Sequence, residues 1–226
     1  MTLQLAVLVS GSGSNLQSII DAVGRGALEA DIKLVLSNNP EAYGLTRAAD
    51  AGIQALALDH RAFADRAAFD QGMIKAIREA GADTVALAGF MRRVTPAFLE
   101  AFPGRVLNIH PALLPSFPGV HGQRDAADYG VRVSGCTVHF VDEKVDHGPI
   151  VIQAVVPAYP EDDGDSLGRR ILALEHRIYP QALQWLAAGR LEVAGRKVKV
   201  RGAKFARAVI DANGDYMVSP GLDEGF

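Results

Sequence analysis

The opening of the chain limits its fold more than any other stretch. Leu3 to Ser10 (LQLAVLVS) form a short apolar run, GSGSN stops it, and Leu16, Ile19 and Ile20 then recur at helical spacing. This order reads as strand, glycine turn and helix, and the cycle repeats. Ile32–Leu36 precedes SNNP and a helical Tyr43–Ala51, and Ile53–Leu58 precedes a long helical stretch to Ala80. In that stretch Phe69, Met73 and Ile77 share one face. Thr84–Ala88 is the next β-like run, followed by a short helix whose cap is Thr95 and whose first position is Pro96, and then by a buried strand, Val106–Ile109. Such alternation predicts an α/β fold with a doubly wound, mostly parallel, Rossmann-like sheet.

The second half departs from that rhythm. Pro111 to Gly130 is rich in Pro and Gly, lacks an apolar period and reads as a long loop. Cys136–Val141 and Ile150–Val156 read as an antiparallel extension of the sheet. A last helix begins near Ser166, with Leu167, Ile171, Leu174 and Ile178 on one face and Pro180 as a possible kink. After Gly189, Arg196, Lys197, Lys199, Arg201, Lys204 and Arg207 alternate with Val198, Val200 and Phe205, a pattern that predicts an edge hairpin. No linker-like composition divides the chain. The expected organisation is a catalytic domain over 1–190 and a basic tail over 191–226.

Composition narrows the class. The 226 residues are 49% hydrophobic and 22% charged, as a globular chain should be. A net charge of −3 lacks the basic excess that drives non-specific nucleic-acid binding, so a locally held small ligand is expected and no nucleic acid. The single Cys136 cannot form an intramolecular disulfide, and neither a signal-like start nor a membrane-length apolar stretch is present. A cytoplasmic protein without a membrane partner is the expectation.

Three constellations could carry chemistry. Unpaired N–H groups and the helix dipole at Gly11–Asn15 suit a phosphate, although the pattern is neither a full dinucleotide fingerprint nor a P-loop. The same residues also fit a plain βα turn in which Ser14 or Asn15 caps the helix. Asn108 and His110 end a predicted central strand on one face, where an amide donor and an imidazole suit an oxyanion and a proton transfer. A structural histidine before a proline turn is the alternative. Asp146, in VDHGP, could support an imidazolium or simply bond to its own turn. His121, His139, His147 and His176 show no metal-ligand spacing, and no metal is expected.

Taken together, SGSGSNLQ from Ser10, SN at Ser37, LAGFMRRVTPAFL from Leu87, NIHPALLPSFPGVHGQRDA from Asn108, TVHFVDEKVDHGPIVIQ from Thr137 and EHRIYP from Glu175 are similar to the folate-dependent phosphoribosylglycinamide formyltransferases over roughly residues 1 to 188. The resemblance implies formyl transfer from 10-formyltetrahydrofolate, as co-substrate, to the amine of 5-phosphoribosylglycinamide. It implies that Asn108, His110 and Asp146 are catalytic, and that Gly13, Ser14, Asn15 and Glu175 hold the nucleotide. Arg66, Leu87, Met91, Arg92, Arg93, Val94, Val141 and Asp142, with Asn108 and Asp146, would meet the folate, Arg66 and Arg92 at its glutamate carboxylates. Ser116 and Leu172 stand where relatives often carry lysine and a basic residue. A monomer or homodimer is expected.

Overall fold

The computed structural model describes residues 2–204, 208–211 and 214–226. The chain forms two compact units. One comprises the residues up to Asn108 together with Phe140–Glu143, and the other Ile109–His139 and the chain from Lys144 onward. The division falls inside one strand and at the end of another, where composition leaves no mark.

In the first unit, β1 (Leu3–Val9), β2 (Ala30–Ser37), β3 (Ala55–Ala57), β4 (Thr84–Leu87) and the start of β5 (Val106–His110) are parallel, in the order β3-β2-β1-β4-β5. β1 is a nearly continuous apolar run because both of its faces are buried, as in a central parallel strand. Helices α1 (Ser14–Gly24), α2 (Tyr43–Asp50), α3 (Arg66–Glu79) and α4 (Pro96–Ala101) connect the strands. Asp65 caps α3 by accepting from the Ala68 N–H, and Thr95 caps α4 ahead of Pro96. Leu8, Leu36, Phe69, Met73, Ile77, Leu87 and Phe98 are among the side chains of the core.

In the second unit, β6 (Val133–Phe140) and β7 (Ile150–Pro157) run antiparallel, β11 (Gly214–Ser219) joins the far edge of β7, and β10 (Ala208–Asp211) pairs with β11. β8 (Leu191–Ala194) and β9 (Lys197–Val200) form a hairpin whose second strand touches β7 at Ile150. Phe205 and Arg207, part of the expected alternation, lie outside the described residues. The long helix α6 (Gly164–Ala187) packs on β7 and on α5 (Gly122–Tyr129). The C-terminal segment is tied to α6. Asp223 accepts from the Trp185 indole at 2.6 Å and from Arg190 at 2.5 Å, and its N–H donates to Gln181 Oε1 at 2.6 Å.

The architecture is the expected α/β fold, a parallel sheet with antiparallel strands, with local corrections. The 111–130 stretch is not all loop: α5 occupies its second half, hidden from periodicity because only Gly122 and Ala126 of its eight residues are buried. The expected helix through to Ala80 begins only at Arg66, after a 3₁₀ turn at His60–Ala62. α6 starts two residues before Ser166, because Asp163 accepts from the Asp165 and Ser166 N–H groups in a capping box, and it runs through Pro180 to Ala187.

Candidate active site

The first unit carries the glycine turn. Neither Ser14 nor Asn15 caps α1. The N-cap is Gly13, whose φ of 70° lies in the left-handed region that favours glycine, and no side chain bonds the helix start. Among the described residues the Ser14 N–H, which no side chain accepts, is left to water or to a ligand. At the end of β1 the Ser10 hydroxyl donates to Asn38 Oδ1 at 2.5 Å and accepts from the Met91 N–H at 2.8 Å. Ser10 and Asn38 thus fasten the 90s segment to the strand end, a task that sequence alone did not assign to them.

Several expected folate residues gather in this unit. Leu87 pairs in register with Asn108, and Val94 and Val141 pack against the core that contains Leu87. Arg92 lies with its guanidinium 5.5 Å from the centre of the Phe69 ring. The segment is anchored from below by Asp70, a buried acid whose Oδ2 accepts from the Thr95 N–H at 2.5 Å. Met91 is 61% exposed. Arg66, the first residue of α3, and Arg93 are also exposed, whereas Asp142 is half-buried.

The second unit carries the titratable centre. β5 carries Asn108, which ends the first unit, and His110, which belongs to the second, two positions apart in a strand whose side chains alternate. The His110 side chain is buried, and its Nδ1 lies 3.5 Å from Asp146 Oδ2. Its Nε2 lies 2.8 Å from the Phe117 carbonyl oxygen. A carbonyl only accepts, so Nε2 carries a hydrogen and is the donor. Asp146 accepts from the Gly119 N–H at 2.8 Å through Oδ2, and its Oδ1 lies 3.8 Å from His139 Nε2. Both Asp146 (φ 49°) and Phe117 (φ 51°) are left-handed. Aspartate tolerates that conformation. For a phenylalanine it is a local strain of the kind held at working sites.

Glu175 sits buried on α6. Burial, and then the charge of Glu175, push the Cys136 thiol well up, so Cys136 is an inert neutral thiol. His147 lies against Arg196 of the hairpin. Among the described residues no group of three or more His, Cys, Asp or Glu could hold a metal ion, and no helix is long and apolar enough to cross a membrane. A buried imidazole with a proton on one nitrogen and a carboxylate beside the other can donate to an oxyanion and pass a proton onward.

Residues 3–183 match the family described as formyl transferase. The chain belongs to the formyl transferase family. Within the family, it is 44% identical over 191 residues to the phosphoribosylglycinamide formyltransferase of Escherichia coli (strain K12), covering 84% of this chain and 90% of that one. It is 48% identical over 188 residues to the trifunctional purine biosynthetic protein adenosine-3 of Drosophila melanogaster, covering 82% of this chain but only 14% of that protein. Among solved structures, glycinamide ribonucleotide transformylase 1 from Symbiobacterium toebii superposes with a TM-score of 0.87 at 49% identity, over 88% of this chain and 94% of that one. The phosphoribosylglycinamide formyltransferase of Coxiella burnetii, in complex with CHES, gives 0.84 at 40% identity, over 89% and 95%.

Proposed function

We propose that this formyl transferase moves a formyl group from 10-formyltetrahydrofolate to the amine of 5-phosphoribosylglycinamide, releasing tetrahydrofolate and formylated nucleotide for purine synthesis. The observation that carries the reading is His110, buried, with its hydrogen on Nε2 and with Asp146 beside Nδ1.

The substrate amine attacks the formyl carbon directly. The carbonyl π pair moves to oxygen, and the oxyanion takes hydrogen bonds from the Asn108 amide and from His110 Nε2–H, where it displaces the Phe117 carbonyl. Asp146 stabilises positive charge on the ring. Collapse of the tetrahedral adduct breaks the bond to N10 of the folate. The proton lost by the amine ends on N10, directly or through water, so no covalent enzyme intermediate forms. In this reading the nucleotide phosphate rests on the N–H groups of Gly13, Ser14 and Asn15, and Glu175 holds the ribose or amine end. Leu87, Met91, Arg93, Val94, Val141 and Asp142 line the folate, and Arg66 and Arg92 meet its glutamate carboxylates. Catalysis belongs to residues 1–190. The reading carries a cytoplasmic location and a monomer or homodimer.

The test is direct. Purified protein is mixed with both substrates, and the absorbance of released tetrahydrofolate is followed. Turnover that requires the nucleotide supports the proposal. Equal release without it indicates a hydrolase, and no turnover with intact nucleotide binding indicates a binding module; either result overturns the proposal.

A further inference from the structure

The Gly11–Asn15 turn owes its shape to residues of α2. The Gly44 N–H donates to the Gly11 carbonyl at 3.0 Å, and Arg47 Nε–H donates to the Ser12 carbonyl at 2.8 Å. In a trans peptide the C=O and the following N–H point in opposite directions. Drawing these two carbonyls toward α2 therefore turns the N–H groups of Ser12 and Gly13 away from it. Neither N–H donates to a protein acceptor among the described residues.

The contact leaves no slack. A Cβ on Gly13 would lie 2.6 Å from Gly44 Cα, and a Cβ on Gly44 would lie 2.9 Å from Val9 Cγ2. Arg47 is held as well as holding. Its Nη1 donates to Gln17 Oε1 at 3.0 Å, the Gln17 amide donates to Asp21 Oδ1 at 2.9 Å, and the guanidinium lies 4.9 Å from the centre of the Tyr43 ring. Among the described residues Arg47 has no carboxylate partner, so its positive charge stands uncompensated beside the turn.

We propose that Arg47 is a positioning residue for the substrate phosphate: by pinning the Ser12 carbonyl it aims the Gly13 N–H at the anion, and its charge favours a dianion there. The inference rests on the reading of Gly13–Asn15 as the phosphate seat. An arginine suits the task because Nε and Nη1 donate along two fixed directions, to Ser12 and to Gln17, which a single ammonium cannot do at once.

The experiment compares wild type, Arg47→Gln and Arg47→Lys in steady state, with inorganic phosphate as competitor. In wild type, phosphate competes with the nucleotide. Arg47→Gln raises the nucleotide KM and the phosphate Ki roughly tenfold, while kcat and the folate KM change by less than about twofold. Arg47→Lys recovers part of the loss. The phosphate-free nucleoside is used equally well by all three proteins. Should Arg47→Gln not fold, Arg47→Lys carries the comparison, with a Ki about threefold above wild type. An unchanged Ki in the variants overturns the role of Arg47 and leaves the phosphate seat standing. Wild type that phosphate does not inhibit overturns the seat and, with it, this inference. A loss shared equally by nucleotide and nucleoside reduces Arg47 to general support and overturns the inference too.

Discussion

The imidazole Nε2 of His110 lies 2.8 Å from the carbonyl oxygen of Phe117, a strained residue seven positions along the chain. The carbonyl only accepts, so Nε2 carries a hydrogen, and the carbonyl occupies the direction in which that hydrogen would be donated. The Gly119 N–H on Asp146 ties the same segment to the other member of the pair. His110→Ala removes both a donor and a proton carrier, so kcat should fall by more than about 100-fold. Loss of the Asn108 amide in Asn108→Ala should cost on the order of 3 kcal/mol of barrier. Steady-state turnover of the folded variants checks both. Near-full turnover by His110→Ala and Asp146→Asn would sink the assignment of roles.

Gly122 bears on the same contact through shape alone. A Cβ there would lie 3.1 Å from each of Ala112 Cβ, His110 Nε2 and the Phe117 oxygen. Gly122→Ala should therefore lower kcat about tenfold or more by displacing the ring, and it should lower stability by only about 1 kcal/mol. Parallel measurement of kcat and of the melting temperature separates the two effects.

Asp162 supplies a pH signature of its own. The Arg170 guanidinium, bound at 2.9 and 3.0 Å, holds its carboxyl far below the usual range, aided by the Tyr159 N–H and the Ser166 hydroxyl. A carboxyl depressed in the folded state stabilises the fold fully above its unfolded pKa, near pH 4, and loses that contribution as pH falls toward the folded value. Asp162→Asn should melt below wild type at pH 7, and the gap should narrow progressively below about pH 4. A gap independent of pH would show that the pairing charge is not the cause.

Asp223 holds the C-terminal segment on α6. Asp223→Ala leaves the fully buried Trp185 indole N–H without its acceptor and removes the Arg190 pair, a loss of about 2 kcal/mol. The urea midpoint of the variant should drop accordingly, whereas Asp223→Asn, which keeps an acceptor oxygen, should lose less.

Much of the framework is legible in the amino-acid sequence. Apolar runs such as Leu3–Val9 record burial on both faces, and Phe69, Met73 and Ile77 record one buried helical face, because partition between water and core is decided residue by residue. Asn108 and His110 stand two positions apart on β5, a spacing that the two-residue repeat of a strand makes legible. α5 was not legible, since a helix that buries only Gly122 and Ala126 is held by its packing on α6 and not by an apolar stripe.

The tertiary structure alone decided what the site residues face. Nothing local joins His110 to Asp146 across 36 positions, or places a backbone carbonyl of Phe117 on a ring nitrogen. Nor does composition reveal that Gly13 caps α1, or that Arg47, 35 positions from Ser12, grips its carbonyl. Periodicity encodes which face of an element is buried. The partner met on that face depends on the path of the whole chain, and so the elements were written in the sequence while the contacts that would carry the chemistry were set by the fold.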